Sequence, residues 1–202
     1  MDNIIVAATQ NKGKIREIGA ILGEFGLAII PRDEAGIPNV EIVEDGETFE
    51  ENSYKKACEI MKLCGRPTIA DDSGIMIDAL GGAPGVYSAR FAGDDCDDDA
   101  NNAKMVKLLK DVPYDERTAK YVAVITLIYP DGETLVARGE VHGHILLEPE
   151  GHNGFGYDPY FQPEGYEHTF GLIDPEEKNR ISHRANALMK LRTLLKEREN
   201  SR

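Results

Sequence analysis

Tryptophan is absent from the 202 residues, and cysteine occurs only at Cys58, Cys64 and Cys96. An odd number without a CxxC pair speaks against a disulfide framework. Cys58 and Cys64 face different ways on one expected helix, so all three are read as reduced thiols. No apolar run approaches the roughly 20 residues of a membrane span, and the start MDNIIVAATQNKGK lacks the cationic and apolar segments of a secretion signal. A cytoplasmic protein without a membrane partner is expected. Positive charge is also scarce: 23 Lys and Arg against 36 Asp and Glu leave a net charge of -13. Such a field repels polyanions, so no nucleic-acid partner is expected and any phosphate must be met by local cations.

What is present is ordinary for a folded chain, with 41% apolar and 29% charged residues. At about 150 residues per domain the length suits one domain or two closely joined lobes. No repeat or low-complexity linker divides it, so residues 1–202 are read as a single domain.

Ile4 to Ala8 is a continuous apolar run suited to a covered strand. Ile15, Ile18, Leu22 and Phe25 then recur at helical spacing. Leu27 to Ile30 reads as a short strand stopped by Pro31. Thr48-Phe-Glu-Glu51 matches a capping box opening a helix that ends at Gly65. Thr68 to Ala70 leads into the polar stretch Asp71-Asp72-Ser73-Gly74, read as a turn before a strand resumes at Ile75 to Ile77. Asp94, Asp95, Asp97, Asp98 and Asp99 precede a helix with Met105, Leu108, Leu109 and Val112 inward; a solvated helix start accounts for these acids better than a metal cluster. Tyr121 to Tyr129 and Thr134 to Val141 flank a Pro-Asp-Gly turn as a hairpin. A last helix runs from about His183, capped by Ser182, with Leu188, Leu191 and Leu195 inward. The interleaving points to an α/β fold, a mixed sheet flanked by helices.

Four constellations can carry chemistry. Thr9, Gln10, Asn11, Lys12, Gly13 and Lys14 lie between strand and helix, where N–H groups and two lysines attract anions, although Asn and Thr also serve there as plain caps. Asp71 and Asp72 point to opposite sides of a strand, so one can enter a cleft as base or hard-cation ligand while the other holds loop backbone; an Asx turn is the alternative. Glu44, in the stretch Glu41 to Gly46, can supply the second carboxylate that Mg²⁺ commonly uses beside phosphates, or is a surface acid. In Gly154-Phe155-Gly156-Tyr157-Asp158-Pro159, Phe155 or Tyr157 can stack on a base or pack inward. Near Lys178, His183 and Arg184 can donate to carbonyl or phosphate oxygens, although a capping Ser182 followed by two exposed side chains is the commoner arrangement. His142 and His144 share a strand face without a third ligand in view and are read as structural.

Taken in order, TQNKGK, EDGETFEENSYKKA, ADDSGIMIDALGGAPGVYSARFAG, GFGYDP and EEKNRISHR closely resemble the Ham1/RdgB-type noncanonical purine nucleoside triphosphate pyrophosphatases. The likeness runs from Ile4 to about Leu195. It implies an elongated mixed α/β sheet in two lobes with a substrate cleft between them, and a homodimer. It implies that Thr9 to Lys14 contact phosphate, that Asp72 accepts a proton and binds Mg²⁺ with Glu44, and that Lys56 faces the phosphates. Ser73, Phe155, Gly156, Tyr157, Asp158, Lys178, His183 and Arg184 correspond to substrate-binding positions. Leu172 departs from the pattern, which expects an acid there in many relatives. Gly81 to Arg90 receives no catalytic role from the resemblance.

The implied reaction is hydrolysis of ITP, dITP or XTP to the monophosphate and pyrophosphate, which cleanses the nucleotide pool. Lys14 and Lys56 are expected to serve the ligand rather than the fold, as exposed lysines add little stability. Two rivals remain at this stage: a nucleotide sensor without a base, and a Maf-like pyrophosphatase for other nucleotides.

Overall fold

The computed structural model of the chain describes residues 3–38, 40 and 42–201; Glu41, at the head of the acidic stretch, lies outside them. β1 (Ile4–Ala7) is followed by α1 (Lys12–Gly23) and β2 (Ala28–Pro31). Ile18 and Leu22 are the buried face of α1, and Phe25 packs on the core from just beyond its end. α2 (Phe49–Cys64) has the expected box: Thr48 accepts from the Glu51 amide while the Glu51 side chain reaches back to the Thr48 amide. Gly65, at φ 63°, ends it in the left-handed conformation that glycine adopts without strain.

β3 (Thr68–Ile77) is followed by short helical turns at Asp78–Leu80 and Gly85–Arg90 and by α3 (Asp98–Leu109). β4 (Thr118–Ile128) and β5 (Thr134–Ile145) follow, then β6 (Phe161–Pro163), α4 (Pro175–Ile181) and α5 (His183–Asn200). The six strands form one sheet in the order β2-β1-β3-β4-β5-β6. β1 is parallel to β2 and β3, with Val6 opposite Ile30 and Thr68, and β5 is antiparallel to β6. The sheet is therefore mixed, as the sequence indicated.

Two compact units are distinguishable. The first comprises Met1–Asp72, Ala123–Gly139 and Ala187–Arg202; the second comprises Ser73–Val122 and Glu140–Asn186. Ile5, Ile18, Leu22, Ile69, Ile125 and Leu191 are fully buried in the first core. Ile75, Ile77, Met105, Tyr121, Phe161 and Phe170 build the second.

Three readings need correction. The polar stretch from Asp71 is not a turn, because β3 runs unbroken through it; lysines neutralise both carboxylates, which lets them stay on a buried strand. Leu108 is 48% exposed, and α3 buries Asn101 and Asn102 beside Met105 and Leu109. Asn101 accepts from the Ala92 amide and donates to the Ala89 carbonyl, so polar side chains hold that face to irregular backbone. α4, begun by Asp174 at the cap and Pro175 at its first turn, was not anticipated, and it shows how Pro can start a helix as readily as stop one.

Candidate active site

In the first unit, the loop after β1 closes on itself. Asn11 Oδ1 accepts from the amides of Gly13 (2.9 Å) and Lys14 (3.2 Å), and the Asn11 amide donates to Thr9 Oγ1 (3.2 Å). Asn11 is thus the cap of α1. Gln10, Lys12 and Gly13 are exposed, whereas Lys14 turns inward, its Nζ 2.6 Å from Asp71 Oδ2. Strand alternation does separate the two aspartates, and Asp71 pairs with a lysine of α1.

Lys56 projects from α2 between two carboxylates, donating to Glu44 Oε2 and Asp72 Oδ1 at 3.0 Å each. Burial alone would lower its pKa, but Asp72, Glu44 and Asp71 together raise it above the usual lysine value. Burial pushes the Asp72 carboxyl up to about 6, against the opposing pull of Lys56. One turn before Lys56 lies Asn52, which is 1% exposed. Its Oδ1 accepts from the Gly46 amide at 2.8 Å, fixing the loop that carries Glu44. The sequence reading missed Asn52; its spacing of four from Lys56 was the available signal. Thr9, Gln10, Glu44 and Lys56 line a cavity of about 660 Å³, together with Arg32, which was also missed.

Among the described residues no three His, Cys, Asp or Glu side chains gather as a ready metal cage. Glu44 and Asp72 nevertheless share one cation, and Asp72 Oδ2 is buried without a hydrogen-bond partner. Two carboxylates and an unsatisfied acceptor suit Mg²⁺, which takes its remaining oxygens from water and substrate phosphates.

In the second unit, Asp158 Oδ2 accepts from the Phe155 amide (2.8 Å) and from Lys178 Nζ (2.5 Å). Gly154, at φ 79°, fits because it has no Cβ; one there would overlap the Asp158 carboxylate. Asp98 accepts from the Gly156 amide at 2.8 Å, and Asn102 donates to the Gly156 carbonyl at 2.9 Å. Asp98 therefore ties this loop to α3 and is more than a solvated helix start. Tyr157 is buried and donates to the Ser88 carbonyl at 2.7 Å, while Phe155 is 67% exposed. Of the two rings, Phe155 is the one presented to solvent.

Ser182 Oγ accepts from the Ala185 amide, giving α5 its expected cap. His183 is buried and stacks on Tyr121, centroids 4.8 Å apart and planes 12° from parallel. Arg184 and Ser73 are half-buried. Lys178, His183 and the 154–158 loop thus pack on one core, with Tyr121 as a member the sequence did not flag. His144 stacks on Tyr114 and His142 lies 3.5 Å from Glu140. Leu172 is 48% exposed.

Residues 5–194 match the sequence profile of the Ham1 family. The chain belongs to the Ham1 family. It is 48% identical over 192 residues to a dITP/XTP pyrophosphatase of Desulforamulus reducens, covering 95% of this chain and 94% of that one. Its identity to the dITP/XTP pyrophosphatase of Geobacter sulfurreducens is also 48%, over 93% and 94% of the two chains. The Staphylococcus aureus Ham1 protein superposes with a TM-score of 0.90 at 39% identity, over 96% of this chain and 99% of that one. This Ham1-family chain has, among its described residues, no helix long and apolar enough to cross a membrane.

Proposed function

We propose that the chain hydrolyses the noncanonical purine nucleoside triphosphates dITP, ITP and XTP to the nucleoside monophosphate and pyrophosphate. The observation that carries this reading is the Asp72 carboxyl. It is buried, pushed up to about 6, and set 3.0 Å from a lysine that also binds Glu44. A base of that strength is ionised at neutral pH and still accepts a proton readily. The names of the relatives, dITP/XTP pyrophosphatases over nearly the whole chain, support the substrate class.

In this reading water attacks the α-phosphorus and Asp72 takes its proton. Lys56 and Lys14 meet the phosphate oxygens, with the backbone of Thr9 to Gly13 beside them. Glu44 and Asp72 would hold Mg²⁺, which when bound neutralises phosphate charge. Phe155 supplies a stacking wall for the base on a loop held by Lys178 and Asp158. Arg184 donates to the purine keto oxygen, which adenine replaces by an amino donor. The reading includes a cytoplasmic homodimer without a nucleic-acid partner.

The test is a panel of dITP, XTP, ITP, ATP, dTTP and UTP with Mg²⁺, measuring pyrophosphate and orthophosphate separately. Pyrophosphate release from the first three is expected. Orthophosphate alone, or a preference for dTTP and UTP, would overturn it.

A further inference from the structure

We propose that Arg32 binds the phosphates that leave as pyrophosphate, in the cavity it shares with Lys56. The inference rests on the pyrophosphatase reading and adds to it a residue that neither the sequence motifs nor the resemblance marked. Open parallel sheets bind ligands just beyond the carboxyl ends of their strands, where successive loops diverge. β1 and β2 are such a parallel pair. Thr9 and Gln10 follow the end of β1, Arg32 is the first residue after β2, and all three line the same cavity of about 660 Å³.

Among the described residues of that lining are two cations, Arg32 and Lys56, beside the carboxylate of Glu44, in a chain whose net charge is -13. The Arg32 side chain is half-buried, and its Nη1 donates to the Val40 carbonyl at 3.1 Å. That bond restrains one arm of the guanidinium, and a planar fork suits two oxygens of one phosphate better than an ammonium does. Lys56 lines the cavity, whereas its partner Asp72 does not. In the pyrophosphatase reading the group that handles water at the α-phosphorus stands next to the lining rather than in it, 3.0 Å from Lys56 Nζ. The space suits the departing end of the substrate rather than the reacting end.

The experiment uses the full chain as parent, Arg32→Gln and Arg32→Lys. Calorimetry measures the binding of pyrophosphate, and dITP hydrolysis measures inhibition by pyrophosphate and by dIMP. Arg32→Gln is expected to weaken pyrophosphate roughly tenfold or more in both assays, as for the loss of a charge-assisted hydrogen bond, with dIMP inhibition unchanged. Arg32→Lys is expected to fall between parent and Gln; if Gln fails to fold, a Lys variant that binds pyrophosphate as the parent does overturns the proposal. Unchanged pyrophosphate affinity in Arg32→Gln, or equal losses for pyrophosphate and dIMP, also overturns it. A parent that releases no pyrophosphate from dITP would defeat the pyrophosphatase reading, while the calorimetry still decides whether Arg32 binds pyrophosphate.

Discussion

Lys14 Nζ lies 2.6 Å from the carboxylate of Asp71, whose side chain is only 2% exposed. A lysine expected to meet phosphate is thereby also part of the fold, so it does not serve a ligand alone. Removing it strands a buried carboxylate, so Lys14→Ala is expected to cost about 3 kcal/mol. The double variant Lys14→Ala, Asp71→Asn should cost less than the sum of the two singles in urea denaturation. Additive losses would show the pair to be energetically uncoupled.

Asp72→Asn is expected to lower kcat by roughly 10² to 10⁴ while the chain stays folded. Near-normal turnover would remove Asp72 from the reaction.

The same substitution has a pH signature. The Asp72 carboxyl is raised by burial from the ordinary 3.8 to about 6, so the folded state holds its proton more tightly than the unfolded state does. The stability this contributes is fully present below 3.8 and is lost as pH rises through about 6. In metal-free buffer, the Tm of Asp72→Asn relative to the parent should therefore climb between pH 4 and pH 7. A constant difference across that window would show that the carboxyl titrates normally in the fold.

Gly46→Ala is expected to reduce activity as well as stability. A Cβ at Gly46 would come 2.7 Å from Asn52 Oδ1, breaking the bond that holds the Glu44 loop to α2. Asn52→Leu should reproduce the kinetic loss and speed hydrogen exchange at the Gly46 amide. Wild-type exchange there in Asn52→Leu would exclude the link.

For base reading, Arg184→Ala is expected to lower kcat/KM on ITP and XTP by roughly 1 to 3 kcal/mol equivalent and to leave the low ATP activity nearly unchanged. Phe155→Ala should weaken all purine substrates alike, because stacking ignores the base edge. Equal losses of ITP and ATP activity in Arg184→Ala would place that residue on phosphate or scaffold.

Local signals were the legible ones. The box at Thr48 and Glu51, the stop at Gly65 and the cap at Ser182 each use a side chain to satisfy a helix end within a few residues, so spacing alone revealed them. Asp71 and Asp72 misled because two adjacent carboxylates look like a turn until their cations are known. Lys14 and Lys56 come from two different helices, and no sequence window contains that meeting. Arg32 and Asn52 were missed for the same reason, as their importance lies in what they face across the fold. Phe155 and Tyr157 could not be told apart by type; the bond from Tyr157 to the Ser88 carbonyl, 69 residues away in the chain, decides which ring is buried.

The loop from Gly154 to Asp158 is closed by its own Asp158 carboxylate and clamped from outside by Lys178, Asp98 and Asn102. Its conformational entropy is therefore surrendered when the chain folds, not when a nucleotide arrives. Under the proposed function, a base settling on Phe155 would meet a loop backbone that is already ordered, so encounter there should carry little backbone ordering penalty.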